Sequence, residues 1–298
     1  MSWRTGPAER IHKQTKPLRS AVLRPVVSPM ILLSIPSPPI NSFHIGPLRV
    51  TFYGIAIAVG VALGWRLTVN RYRAAGGDPD LADRVLTRMV IFGFLGARAA
   101  YVSTHLDRFR GEWWKVIAIW EGGLALFGGL TVGAITVWYL IRRWGGDLPA
   151  FLDGLAAGVP LAQAVGRWGN YFNQELFGTP TDLPWGLEID PAHRPDAYAT
   201  ASTFHPTFLY ESLWNFALAG MIVWLGRRVP ALRGRLIAVY FAGYGLMRFL
   251  LELIRTDTTF RFLGLSRNGW VAAGAFLLGI TGILWRRAKD PSPVVDEA

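Results

Sequence analysis

The sequence predicts an all-α integral membrane protein with about seven transmembrane helices and a structured extracytoplasmic segment between the fourth and fifth. Three observations carry this. Hydrophobic residues fill 51% of the 298 positions and charged residues only 17%, whereas soluble domains average about 25% charged. About seven apolar stretches approach the roughly 20 residues that a helix needs to cross a bilayer. Basic residues gather between those stretches with an alternating bias.

The spans are expected at Phe52–Val69, Val85–Tyr101, Ile119–Ile141, Phe151–Gly166, Phe208–Leu225, Leu236–Ile254 and Gly269–Trp285. Most are too long and too uniformly apolar for one face of a soluble helix. The fourth is the weakest, being short and holding Asp153, Pro160 and Gln163. One set of alternate loops carries thirteen Lys and Arg and the other eight, which puts the C-terminus in the cytoplasm and the start of the first span outside. Residues 1–29 are basic, and no clean apolar stretch with a cleavage signature follows them, so they do not read as a signal peptide. They are expected to be a disordered extension or a mis-called translation start, since Met30 opens a natural-looking beginning. Residues 30–288 then form one membrane domain and residues 289–298 a cytoplasmic tail. No internal repeat is visible, and no pair of broken helices points to a transporter.

Composition excludes several chemistries. The chain has no cysteine, so it offers no disulfide, no thiolate metal site and no cysteine nucleophile. The five histidines form no metal-ligand spacing, and no phosphate loop, dinucleotide fingerprint or nucleophile elbow is present. The net charge of +11, set among apolar spans, suits an anionic membrane surface.

Charged groups inside a bilayer are costly and mark function by default. Arg98 lies in the second span, where structural and functional readings weigh equally. The sixth span carries Tyr244, Arg248, Glu252 and Arg255, which fall within a wedge of about 80° on a helix. Two arginines against one glutamate leave a surplus cation for an anionic ligand. Gly129-x-x-x-Gly133 and Gly154-x-x-x-Gly158 read as close helix packing. After the fourth span, Arg167, Asn170, Asn173 and Glu175 crowd a glycine-rich exit. Arginine offers a planar fork for phosphate oxygens there. A second polar cluster, His205-Pro-Thr-Phe-Leu-Tyr-Glu211, opens the fifth span.

Gly166-Arg-Trp-Gly-Asn-Tyr-Phe-Asn-Gln-Glu175 and its continuation to Gly186 closely resemble the signature of the bacterial phosphatidylglycerol–prolipoprotein diacylglyceryl transferases. Gly96-Ala-Arg98-Ala-Ala-Tyr101, Trp120-Glu-Gly-Gly123, the His205–Glu211 cluster and Tyr244-Gly-Leu-Met-Arg248-Phe-Leu-Leu-Glu252 extend the resemblance over about residues 30–288. It implies a seven-span enzyme of the bacterial plasma membrane whose active site faces the extracytoplasmic side. Its substrates would be phosphatidylglycerol and the lipobox cysteine thiol of a prolipoprotein, its products a thioether and glycerol phosphate, and it would need no metal or other cofactor. The matching functional positions are Tyr53, Arg167, Asn170, Glu175, Tyr244, Arg248 and Glu252, with both arginines at the phospholipid head group. Arg98 and His205 are added as candidate substrate contacts. Where many members carry a histidine this chain has Phe127, which cannot accept a proton; Glu175, Glu252 and His205 are the alternatives for the thiol's proton. A lipid or anion transporter using the same arginines is the competing reading, and a scaffold with merely paired charges a third. A scaffold tolerates Arg→Lys, whereas a forked clamp does not.

Overall fold

The computed structural model describes residues 34–119, 122–256 and 261–285. The basic leader 1–29, Met30, Trp120, Glu121 and the tail 289–298 lie outside these residues. The described chain is mostly helical, with three two-stranded antiparallel ribbons.

The first ribbon joins β1 (Ser42–Ile45) to β2 (Leu48–Thr51) and runs straight into α1 (Phe52–Ala74). Gly46, at φ 58°, supplies the left-handed residue of its two-residue turn. Thr51 caps α1 by accepting from the Gly54 N–H. α2 (Pro79–Thr104) starts with Asp78 as cap and proline in its first turn. Two short 3-10 turns, Leu106–Phe109 and Trp113–Ile117, lead towards α3 (Leu126–Arg143). α4 (Leu148–Gly166) is followed at once by the short α5 (Trp168–Asn173). Then come β3 (Leu187–Glu188), β4 (Thr203–Phe204), α6 (Thr207–Arg228), α7 (Leu236–Glu252), the ribbon of β5 (Arg261–Phe262) and β6 (Leu265–Ser266), and α8 (Arg267–Leu284).

Seven long helices overlap the seven apolar stretches. Among the described residues, five segments are long and apolar enough to cross a membrane: α1, α2, α4 with α5, α6 and α8. α3 has 18 residues and ends in Arg142-Arg143, and α7 has 17. α3 starts at Leu126 rather than at Ile119, because Gly122 and Gly123 take φ of 85° and 76° and interrupt helical backbone. The outward faces carry large apolar side chains, among them Phe94 and Leu95 on α2, Trp138 on α3, Leu213 on α6 and Leu278 on α8, all at least half exposed. Such faces suit an apolar surrounding and not water.

α4 sits at the centre, packed against α1, α6 and α7, while α2 pairs with α3 and α7 with α8. The helices approach closely because glycines line the contacts. A Cβ at Gly158 would lie 2.4 Å from the Gly64 carbonyl oxygen, and one at Gly279 2.3 Å from the Ala242 nitrogen. The polar residues that weaken the fourth span have partners in neighbouring helices. Asp153 accepts from the backbone N–H groups of Gly234 (2.5 Å) and Leu236 (2.8 Å), capping α7 from α4. Gln163 donates to the Tyr240 hydroxyl at 3.0 Å. Asp153→Ala orphans two N–H groups and is expected to cost about 2 kcal/mol. Thermal unfolding in detergent measures this, and an unchanged midpoint would contradict the cap.

Residues 174–206 form a structured segment whose small core of Phe177, Leu187, Ile189 and Phe204 is closed by Phe208 of α6. The β3–β4 ribbon pairs Leu187 with Phe204, and Ile35 bridges to Leu187 in parallel. Gln174 donates to Asp190 Oδ2 at 2.7 Å and Ser37 to Oδ1 at 2.8 Å. These two bonds hold the Asp190 carboxyl below its ordinary range.

Candidate active site

The site lies where one end of the bundle meets that segment. The chain reverses at each loop, so the C-terminal ends of α4 and α7 and the N-terminal ends of α1, α6 and α8 gather there. Arg167 stands at the junction of α4 and α5, Glu211 one turn into α6, Arg248 and Glu252 in the last turns of α7, and Ser266 at the cap of α8.

Arg167 Nε pairs with Glu211 Oε2. Arg248 Nη1 lies 3.9 Å from Glu211 Oε1, and Arg248 Nη2 2.8 Å from Glu252 Oε2. Two guanidinium groups from different helices therefore converge on one carboxylate. Glu211 and Glu252 are each 3% exposed at the side chain, against 22% for Arg167 and 14% for Arg248. The carboxylates are the more deeply buried half of the cluster, although Arg248 Nη1 is itself buried. Ser266 Oγ, which also caps α8 by accepting from the Gly269 N–H, donates to Glu252 Oε1 at 2.5 Å. It fixes the acid against which Arg248 leans.

A polar chain continues into α5. Arg167 Nη1 donates to Asn170 Oδ1 at 3.3 Å, and Asn170 Nδ2 donates to Glu175 Oε1 at 2.9 Å. Asn170 is buried and Glu175 is exposed. Tyr53, in the first turn of α1, lays its ring on Gly169, where a Cβ would come within 2.6 Å of it. This glycine lets the ring sit beside the Arg167–Asn170 turn. Trp168 Nε1 donates to Ser212 Oγ at 3.2 Å, tying α5 to α6. Tyr244 stacks on Tyr240 with centroids 5.7 Å apart, and so flanks the Gln163–Tyr240 pair.

Two candidates make no hydrogen bond or ion pair to the cluster among the described residues, though His205 opens the same helix end as Glu211. Arg98 is buried, and its five N–H donors all point at carbonyls of residues 115–123: Lys115, Val116, Ala118, Gly122 and Gly123. None of these partners belongs to the arginine–carboxylate cluster, and the side chain fastens the loop before α3. His205 lies 3.2 Å from the Tyr210 hydroxyl and exchanges backbone bonds with Gly178 and Thr179. Phe127, in the first turn of α3, is 52% exposed.

The surplus cation expected on α7 is corrected by the fold. Arg248 faces two carboxylates, because α6 brings Glu211 across to it. Arg255 lies beyond the end of α7, bridging to Gly178, and does not continue the helical stripe. Glu211, which the sequence marks only as the end of the polar cluster opening the fifth span, is not among the candidate site residues read from it. The signal was present, since a carboxylate in an apolar span is as costly as the arginines that were singled out.

The family of prolipoprotein diacylglyceryl transferases has a sequence model that matches residues 40–285. The phosphatidylglycerol–prolipoprotein diacylglyceryl transferase 2 of Streptomyces coelicolor is 45% identical over 265 residues, covering 88% of this chain and 84% of the relative. Relatives with the corresponding name from Frankia alni and Cutibacterium acnes are each 42% identical, covering 88% and 77% of this chain and 70% and 79% of their own lengths. With a match that runs through every element of the arginine–carboxylate cluster, the chain belongs to the prolipoprotein diacylglyceryl transferase family.

Proposed function

We propose that this chain transfers the diacylglyceryl group of phosphatidylglycerol to a prolipoprotein, with Arg167 and Arg248 as the clamp on the lipid's phosphate. The observation that carries the clamp is the convergence of two guanidinium groups, each more exposed than the anion between them, on one buried carboxylate. A site that holds a carboxylate between two forks has the geometry and charge to hold a phosphodiester. Family membership favours transfer and lends no support to the transporter reading.

The acceptor is the lipobox cysteine. Its sulfur attacks the terminal glycerol carbon that carries the phosphate. The S–C bond forms as the C–O bond breaks, the electron pair leaves with glycerol phosphate, and the thiol proton balances the charge. Negative charge grows on the departing phosphate, so cations fixed beside it are worth more in the transition state than in the ground state. The same cations favour the thiolate electrostatically, which matters because Phe127 cannot accept the thiol's proton. Asn170 and Glu252 orient the arginines, Glu175 holds Asn170, and Tyr53 and Tyr244 line the substrate space. Glu252, Glu175 and His205 stay as candidates for the thiol's proton.

The protein is a multi-pass protein of the bacterial plasma membrane, and α3 and α7 complete seven crossings. Arg71, Arg73, Arg142, Arg143, Arg227 and Arg228 end α1, α3 and α6 at the face opposite the cluster. The positive-inside bias therefore turns the cluster and the 174–206 segment outward. Expression in a bacterium depleted of its own transferase tests the activity. Prolipoprotein is expected to shift to its lipidated mobility, and persistence of the unmodified precursor beside correctly inserted protein would reject the proposal.

A further inference from the structure

We propose that Glu211 is a positioning residue of this site, holding Arg167 and Arg248 together while the site is empty and yielding both to the incoming phosphate. The inference rests on the clamp reading above and adds to it what keeps two like charges in register before substrate arrives.

The partners of each group support this. Apart from the two arginines, neither Glu211 carboxylate oxygen receives a hydrogen bond among the described residues. Its neighbours Ser212 and Asn215 on α6 are buried and uncharged. Glu211 is thus a buried anion whose compensation, among the described residues, comes from two cations alone. Glu252 is built differently, because Ser266 Oγ donates to one of its oxygens at 2.5 Å while Arg248 Nη2 meets the other. The arginines divide their donors accordingly. Arg167 gives Nη1 to Asn170 and Nε to Glu211. Arg248 gives Nη2 to Glu252 and Nη1 to Glu211. One nitrogen on each arginine is anchored to a second residue and another faces Glu211, Arg248 Nη1 doing so as a buried donor with no hydrogen bond of its own among the described residues.

Those two Glu211-facing donors are the pair that a phosphodiester takes. Its single negative charge replaces a single negative charge at the same two forks, while Asn170 and Glu252 keep both guanidinium groups aimed. The contact between Arg248 Nη1 and Glu211 is already loose at 3.9 Å, beyond hydrogen-bond length. Glu211 therefore competes with the substrate for the clamp while ordering it. Removing its charge strengthens ground-state lipid binding and weakens orientation in the transition state.

The test is Glu211→Gln in the full-length protein in detergent. Equilibrium binding of phosphatidylglycerol in mixed micelles is measured beside kcat and KM with a lipobox peptide. The neutral isostere is expected to lower Kd and KM for phosphatidylglycerol about three- to ten-fold while kcat falls at least ten-fold. A merely structural residue would weaken binding together with turnover, so a raised Kd, or an unchanged kcat, overturns the proposal. Glu211→Asp keeps the charge and draws it back from Arg248. It is expected to fall between wild type and Gln on both axes, and wild-type constants for it also overturn the proposal should Gln fail to fold. Failure of the clamp itself looks different, since Arg248→Ala would then bind phosphatidylglycerol as wild type does whatever Glu211 does.

Discussion

Arg167→Lys and Arg248→Lys are each expected to lower the rate of lipidation by ~10²–10³-fold, about 2.7–4 kcal/mol of transition-state stabilisation, with the protein still inserted and folded. Charge is conserved in both, so the loss comes from geometry. Arg167 uses two different nitrogens at once, Nε towards Glu211 and Nη1 towards Asn170. Arg248 likewise spreads Nη1 and Nη2 over Glu211 and Glu252. A lysine ammonium is one compact point charge and cannot serve two separated acceptors and a phosphate together. The Ala variants lose more, because each also leaves a buried carboxylate short of its cation. The mobility shift of a prolipoprotein, read beside the amount of membrane-inserted enzyme, measures the effect. Near-normal lipidation by either Lys variant would reduce the arginines to paired charges in a scaffold.

The second large effect is on folding. Gly158→Leu is expected to abolish accumulation of the protein, because α1 and α4 touch backbone to backbone at this point. Even a Cβ at Gly158 would meet Thr68 Oγ1 and lie 2.4 Å from the Gly64 carbonyl oxygen. Thr68 Oγ1 is itself bonded to that carbonyl at 2.8 Å, so it has no free direction in which to retreat. Overpacking typically costs 1–3 kcal/mol and more where backbone must move. Here α4 would have to leave α1 while still carrying Arg167 at its end. Gly220→Leu is the control, since a Cβ there meets nothing within 4 Å. Equal amounts of the two variants in the membrane would contradict the packing account.

Much of this was legible before any coordinates. Apolar length placed all seven long helices, and the start of α7 at Leu236 agrees to the residue. The beginning of α3 was set seven residues early because hydropathy does not register that Gly122 and Gly123 take positive φ or that Arg98 fastens this stretch. α5 left no periodic signal, being only six residues long. The rule that charge in a span marks function served unevenly. It found Arg248 and Glu252, whose pairing along α7 follows from spacing alone. It also raised Arg98, whose donors the fold spends on five carbonyls, and it was not applied to Glu211 or Asp153. What those two residues do depends on which helices lie beside α6 and α4, and that is tertiary information. Small-residue spacing pointed correctly to close packing at Gly154 and Gly158 without naming α1 as the partner.

The central claim is that two converging arginines grip a phospholipid's phosphate while a thiol takes its diacylglyceryl group. Purified protein incubated with phosphatidylglycerol labelled in the diacylglyceryl moiety and a lipobox peptide tests it most directly. A peptide with serine for cysteine and the Arg248→Ala enzyme serve as controls. The account expects label on the cysteine peptide with one glycerol phosphate released per transfer, and label on neither control. Label on the cysteine peptide at an undiminished rate with the Arg248→Ala enzyme, or no label with the wild-type enzyme, would contradict it.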